Sequence, residues 1–122
     1  MKIDHIALWV GDLEAVTAFF EKYFGGKRNT RYHNPRTGLS TYFISYGGEA
    51  RLELMNRPDM PGGVKNWGHV SMSVGSKEAV DELTATLKAD GYPVLSGPRT
   101  TGDGYYESSI EGPEAITIEI TV

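Results

Sequence analysis

The 122-residue sequence contains no cysteine. This absence excludes disulfide bridges, thiolate metal sites and a cysteine nucleophile, so any bound metal ion must be held by nitrogen and oxygen atoms. The sequence also lacks a run of about 18 or more apolar residues, so no membrane-spanning helix is predicted. Its first ten residues lack the basic and then apolar segments of a secretory signal, and we therefore expect a cytoplasmic protein.

Positive charge is scarce as well. The 12 Lys and Arg residues are outnumbered by 16 Asp and Glu, which gives a formal net charge of −4. No basic patch or basic amphipathic stretch indicates a nucleic-acid or membrane partner, and no Gly-rich loop of the phosphate-binding type is present. With 39% hydrophobic and 23% charged residues, the composition and length predict one globular domain over residues 1–122.

What the sequence does contain is an internal repeat. The segment 5–11 matches 69–75, the segment 41–43 matches 104–106, and the segment 52–54 matches 118–120. Each copy shows a strand, a helix and then three shorter strands separated by turn signals. We therefore predict an α+β fold of two tandem βαβββ modules, at about residues 1–56 and 68–122.

The helix of each copy has recognisable ends. Asp12 and Ser76 are the predicted N-caps, and apolar residues follow each of them at helical spacing. Gly25 stands at the end of the first helix, and Asp90 with Gly91 at the end of the second.

Period-2 alternation divides each strand into two faces. In the first strand Ile6, Leu8 and Val10 are predicted to pack under the helix, whereas His5 lies on the other face. In the second copy His69 likewise lies on the face opposite the aliphatic residues of its strand.

Four residues are set apart by this alternation, namely His5, Glu53, His69 and Glu119, which all oppose an aliphatic face. If the last strand of each module lies beside its first, each module presents a pair of one histidine and one carboxylate. Two imidazoles and two carboxylates suit a borderline divalent ion such as Zn, Ni, Co, Mn or Fe(II) and leave positions open for substrate oxygens. A lone strand histidine is more often a hydrogen-bonded core residue. The recurrence of histidine and glutamate at equivalent positions of two otherwise diverged copies favours a metal site.

Three other residues are weaker candidates. His33 adjoins Asn34-Pro35 and is predicted to lie in a surface turn. Trp9 and Trp67 stand near the two histidines and fit a ligand pocket or a core equally well.

The motifs around these positions resemble those of the vicinal-oxygen-chelate superfamily, which includes glyoxalase I, bleomycin and fosfomycin resistance proteins and extradiol dioxygenases. The resemblance spans the whole chain and rests on four segments: Asp4-His5-Ile6-Ala7-Leu8, Arg51-Leu52-Glu53-Leu54-Met55, Gly68-His69-Val70-Ser71-Met72 and Thr117-Ile118-Glu119-Ile120. It implies curved mixed sheets around a cleft with one divalent ion per site. It also implies a homodimer, in which two chains sometimes share ligands.

The order His, Glu, His, Glu is most similar to the bacterial glyoxalase I type. This resemblance implies a metal-dependent lyase or isomerase, of the lactoylglutathione lyase type, that acts on a hemithioacetal or related α-oxo compound through a metal-bound enediolate, with Zn or Ni as the first choice of ion. Glu119 would be the main base and Glu53 its counterpart. Glyoxalase I binds glutathione with an arginine four residues after its first histidine and an asparagine four residues after its first glutamate; this sequence has Trp9 and Arg57 there.

Two alternatives from the same superfamily stay open. One is a non-catalytic protein that binds a small molecule, such as an antibiotic, with or without metal. The other is an oxygenase similar to extradiol dioxygenases, in which His5, His69 and Glu119 would hold iron.

Overall fold

The computed structural model describes residues 5–62, 69–102 and 104–122. The chain divides into two compact units, 1–64 and 65–122. In its described residues, each unit contains one mixed β-sheet and one α-helix. The predicted α+β class is therefore confirmed. That the two modules form a single domain around a cleft stays a prediction. In the described residues, no helix is both long enough and apolar enough to cross a membrane.

Within residues 5–62, the first unit has one strand, one helix and four further strands. The elements are β1 (His5–Trp9), α1 (Leu13–Phe24), β2 (Lys27–Arg28), β3 (Tyr32–His33), β4 (Ser40–Ser45) and β5 (Arg51–Asn56). The sheet order is β1-β5-β4-β2, with β3 also paired to β4. Three strands were expected after the helix, but the first of them is split into β2 and β3. At the break, the backbone N–H of Asn29 donates to the carbonyl of Phe43, but the N–H of Phe43 donates to the side chain of Asn29 and not to its backbone carbonyl.

The second unit follows the predicted βαβββ order. Its elements are β6 (Val70–Ser73), α2 (Lys77–Ala89), β7 (Val94–Thr100), β8 (Tyr106–Glu111) and β9 (Thr117–Thr121), with one 3₁₀ turn at Pro113–Ala115. The sheet order is β6-β9-β8-β7. The first and last strands of the module are therefore neighbours, as they are in the first unit.

Both helices begin at the predicted caps. The side chain of Asp12 accepts a hydrogen bond from the N–H of Ala15 at 2.9 Å, and that of Ser76 accepts one from the N–H of Ala79 at 3.1 Å. These bonds satisfy N–H groups that have no partner within the helix. The first helix ends at Gly25, whose φ of 66° lies in the left-handed region that glycine adopts without strain.

The core of the first unit lies between α1 and one face of the sheet. The buried apolar residues there include Leu8, Val10, Leu13, Val16, Phe20, Ile44, Leu52 and Leu54. Ile6, predicted to be buried with Leu8 and Val10, is instead 44% exposed. The reason is that β1 is an edge strand and the helix packs over β4 and β5, beyond the start of β1.

The core of the second unit is built in the same way. The buried apolar residues are Val80 and Leu87 from α2 and Val70, Ile110, Ile116, Ile118 and Ile120 from the sheet side. One polar contact lies among them, because the buried hydroxyls of Thr84 and Ser108 are 2.6 Å apart. In both units the helix covers one face of the last strand, so the face that carries the glutamate points away from the core.

The caps give a stability prediction. Replacing Ser76 with alanine removes the acceptor for the Ala79 N–H, so Ser76→Ala should lower the free energy of unfolding by about 1 kcal/mol. Ser76→Asp is the matched control, because aspartate also accepts this bond and should retain most of the stability. Urea denaturation followed by circular dichroism would measure both. An equal loss in the two variants would contradict the capping role.

A second prediction concerns how the stability of the fold changes at acidic pH. The guanidinium of Arg28 donates to both carboxylate oxygens of Glu21, at 2.8 and 2.6 Å, and joins β2 to α1. These hydrogen bonds are the main reason that the pKa of Glu21 is lowered. Because the pKa of Glu21 is lower in the folded chain than in the unfolded chain, where it is about 4.3, the ionised carboxylate stabilises the fold above that pH. This stability is lost as the pH falls through the folded pKa.

The Glu21→Gln variant lacks this contribution at every pH. Its deficit in unfolding free energy relative to the wild type should therefore be largest at neutral pH and should shrink as the pH falls below about 4. Urea titrations across that range measure the difference. Glu82→Gln on the exposed side of α2 is the control; a deficit that stays constant with pH would count against the ion pair.

Candidate metal centre

Parallel pairing of the first and last strands positions one candidate histidine–glutamate pair in each unit. Strand β1 runs parallel to β5 with Ala7 opposite Glu53, and β6 runs parallel to β9 with Ser71 opposite Glu119. The condition on which the two histidine–carboxylate pairs depended is thus met in both units. Residues two apart on a strand share a face, so each histidine, two residues before Ala7 or Ser71, lies diagonal to the glutamate.

The diagonal brings a ring nitrogen and a carboxylate oxygen together in each unit. The distance from Nε2 of His5 to Oε2 of Glu53 is 3.5 Å, and that from Nε2 of His69 to Oε2 of Glu119 is 3.2 Å. The histidine side chains are 38% and 47% exposed, whereas the glutamates are 15% and 19% exposed. Each unit therefore offers two donor atoms to one open face.

The first pair lies beside an aromatic ring. Phe43 on β4 is opposite Glu53, and its ring meets that of His5 edge to face, with centroids 5.2 Å apart and an interplanar angle of 87°. The guanidinium of Arg51 lies 4.6 Å from the centroid of the Phe43 ring. Because the rings pack edge to face, Phe43 restricts the orientation of His5.

The second pair lies among hydroxyl groups. Ser71 donates a hydrogen bond from its Oγ to Oε1 of Glu119 at 2.7 Å. On the other side of Glu119, Ser109 of β8 stands opposite it, and the Ser109 hydroxyl is 2.9 Å from that of Ser96. The two pairs therefore share their geometry but differ in their surroundings.

The strand register also corrects one part of the sequence repeat. The repeat had matched Phe43 with Tyr106, but Phe43 faces Glu53 and Ser109 faces Glu119. Phe43 and Ser109 are therefore the equivalent residues. The registers of β4 with β5 and of β8 with β9 are both unbroken, so Phe43 precedes Glu53 by as many residues as Ser109 precedes Glu119.

Neither Ser71 nor Phe43 was singled out from the sequence. Ser71 could have been identified from its position in the repeat, because it occupies in the second copy the place that Ala7 occupies in the first. Within the described part of each unit, no group of three or more His, Asp or Glu side chains is placed to hold a metal ion. Each unit contains one histidine–glutamate pair.

The weaker candidates are distributed as follows. His33 is exposed, as expected, but lies in β3 and not in a turn, with Nδ1 2.8 Å from Oγ of Ser40. Trp9 is half-buried and lies under the guanidinium of Arg57, 5.7 Å from the ring centroid. Trp67 is outside the described residues.

Arg57 also borders a cavity in the first unit. The cavity has a volume of about 330 Å³ and is lined by Thr37, Arg57, Pro58 and Asp59. The Nε of Arg57 lies 2.5 Å from Oδ1 of Asp59, so the guanidinium is already engaged by a carboxylate.

Comparison with known proteins gives one family and a curated relative. The model of the Glyoxalase/Bleomycin resistance protein/Dioxygenase superfamily matches residues 2–120. An uncharacterized protein from Bacillus subtilis (strain 168), YqjT, is 31% identical over 122 residues, which cover 95% of this chain and 94% of that protein. The family match thus extends over both units.

Solved structures have the same fold. A possible glyoxalase from Bacillus cereus is 28% identical, with a TM-score of 0.77 over 100% of this chain and 99% of that one. A mutant of the fosfomycin resistance protein FosX from Listeria monocytogenes, complexed with Mn(II) and a dihydroxypropylphosphonic acid, is 21% identical, with a TM-score of 0.78 over 98% of this chain and 90% of that one. At that identity the likeness to FosX shows the fold alone.

Proposed function

The chain belongs to the Glyoxalase/Bleomycin resistance protein/Dioxygenase superfamily, and from this premise we propose that it is a metal-dependent lyase or isomerase of the glyoxalase I type. Its substrate is a small hemithioacetal or a related α-oxo compound, and its metal ligands are His5, Glu53, His69 and Glu119. One observation carries the proposal: the same diagonal of a histidine and a glutamate occurs on the first and last strands of both units.

The donor atoms fit a divalent ion. Two ligands bound to one zinc ion at about 2.0–2.2 Å, at tetrahedral or octahedral angles, lie roughly 2.8–3.6 Å from each other. The separations of 3.5 Å in the first pair and 3.2 Å in the second fall in or at the edge of this interval. Nitrogen and oxygen donors without sulfur favour Zn or Ni, with Co, Mn or Fe(II) as further choices.

The proposed chemistry is transfer of a proton between two neighbouring carbons. A bound divalent ion would polarise a substrate carbonyl and acidify the adjacent C–H bond. Glu119 and Glu53, the two candidate bases, take the proton from one carbon, which gives an enediolate, and return it to the other. No external oxidant is needed, because one carbon is oxidised as its neighbour is reduced.

The thiol part of the substrate is a separate question. Glyoxalase I places an arginine and an asparagine where this chain has Trp9 and Arg57. In this chain the guanidinium of Arg57 is held between the Trp9 ring and the carboxylate of Asp59. Arg57 is charged and already paired, whereas an asparagine at this place would offer a neutral amide. We therefore propose that the thiol of the hemithioacetal is not glutathione. We also propose that the active form is a homodimer, as the family resemblance implies.

Metal content tests the ligand set. Protein made without an affinity tag should carry a stoichiometric divalent ion, which the double variant His5→Ala, His69→Ala should lose. The remaining histidine provides a matched control, because His33 is bonded to Ser40 and His33→Ala should keep its metal. Mass spectrometry of the purified chains measures all three.

Either contrary result is informative. Metal retained in the double variant would show that other residues bind it. If no metal binds even after reconstitution, the catalytic proposal fails, and a small-molecule complex in metal-free protein would then support the binding-protein alternative.

Measurements of turnover test whether Glu119 and Glu53 act as the bases of the reaction. Per bound metal ion, Glu119→Gln and Glu53→Gln should each lower the rate of isomerisation by about 10²–10⁴, the usual contribution of a positioned acid–base group. The assay would use hemithioacetals of methylglyoxal with glutathione, cysteine derivatives and coenzyme A. Glu82→Gln in α2 is the control, and unchanged turnover in both site variants would refute the mechanism.

A further inference from the structure

The internal repeat makes the two candidate pairs directly comparable. In each unit one residue of the first strand stands opposite the glutamate on the same face. This residue is Ala7 opposite Glu53 in the first unit and Ser71 opposite Glu119 in the second. Only the second can donate a hydrogen bond from its side chain, and it does so to Oε1 of Glu119 at 2.7 Å.

This bond determines how Glu119 is oriented. With Oε1 bound to the Ser71 hydroxyl, the other oxygen, Oε2, faces Nε2 of His69 at 3.2 Å. The two contacts fix the plane of the carboxylate as well as its position. A ligand that is already oriented loses less conformational freedom when it binds a cation.

The residues that flank Glu53 provide a different kind of support. Its neighbours across the sheet are the methyl group of Ala7 and the ring of Phe43, and neither can donate an O–H or N–H hydrogen bond from its side chain. The aromatic contact is made to His5, not to the glutamate. The first unit therefore orients its histidine, whereas the second orients its carboxylate.

We propose that Ser71 is a positioning residue for Glu119 and that it gives the His69–Glu119 pair a higher affinity for a divalent ion than the His5–Glu53 pair. The inference rests on the proposed function, because it assumes that these pairs bind metal. Residues that hydrogen-bond a metal ligand typically contribute 10–100-fold to metal affinity, so loss of the Ser71 hydroxyl should weaken binding by about that factor.

The test is a titration of the full-length metal-free chain with Co(II), followed by the visible absorption of the bound ion. Ser71→Ala and Ser71→Val should bind Co(II) about 10–100-fold more weakly than the wild type. Ser71→Thr, which has nearly the shape of valine but keeps a hydroxyl, should restore the affinity. Unfolding of the metal-free variants in urea identifies any loss that comes from stability.

Ala7→Ser is the matched control given by the repeat. It adds the same hydroxyl beside Glu53 and leaves Ser71 in place, so it should bind Co(II) at least as tightly as the wild type. A second comparison uses half sites: the His5→Ala, Glu53→Ala chain should retain more affinity than the His69→Ala, Glu119→Ala chain.

The outcomes separate the two proposals. If the wild type does not bind Co(II), both the proposed function and the inference fail. If the wild type binds but Ser71→Ala and Ser71→Val bind equally well, the proposed function stands and the role of Ser71 is wrong. The role is equally wrong if threonine fails to restore affinity in a normally folded chain or if the two half sites bind alike.

Discussion

The parallel pairing of the first strand with the last strand is the constraint on which each unit depends. A one-residue slip in this register would move every side chain of the strand to the other face and would separate the histidine from the glutamate. In the first unit the register is held at its carboxyl end, because the side-chain amide of Asn56 donates to the carbonyls of Val10 and Gly11 at 2.8 and 2.9 Å. The position of the candidate ligands is therefore a property of the sheet and not of a loop.

Burial determines which face remains available for chemistry. Leu52 and Leu54 of β5, and Ile118 and Ile120 of β9, are covered by the helix of their own unit. Glu53 and Glu119 alternate with these residues, so they must point away from the core. The hydrophobic effect thus orients the polar residues indirectly: the cost of exposing the aliphatic face fixes the carboxylates on the other one.

The sequence allowed much of this arrangement to be predicted, because repetition, capping and alternation are local signals. Asp12 and Ser76 cap their helices as expected, and both pairs of histidine and glutamate form. The exposure of Ile6 could not be predicted, since it depends on where the helix lies across the sheet. The equivalence of Phe43 and Ser109 was missed because the match between segments 41–43 and 104–106 rested on similar residue types, whereas equivalence is determined by pairing with the last strand of each unit.

The two copies have diverged in an ordered way. The diagonal pair is the same in both units, while the residues that support it have changed from Ala7 to Ser71 and from Phe43 to Ser109. In the proposed isomerisation a proton leaves one carbon and is returned to its neighbour, so the reaction makes different demands on its two candidate bases. The chemical asymmetry of the proposed reaction thus has a structural counterpart in the unequal surroundings of Glu53 and Glu119.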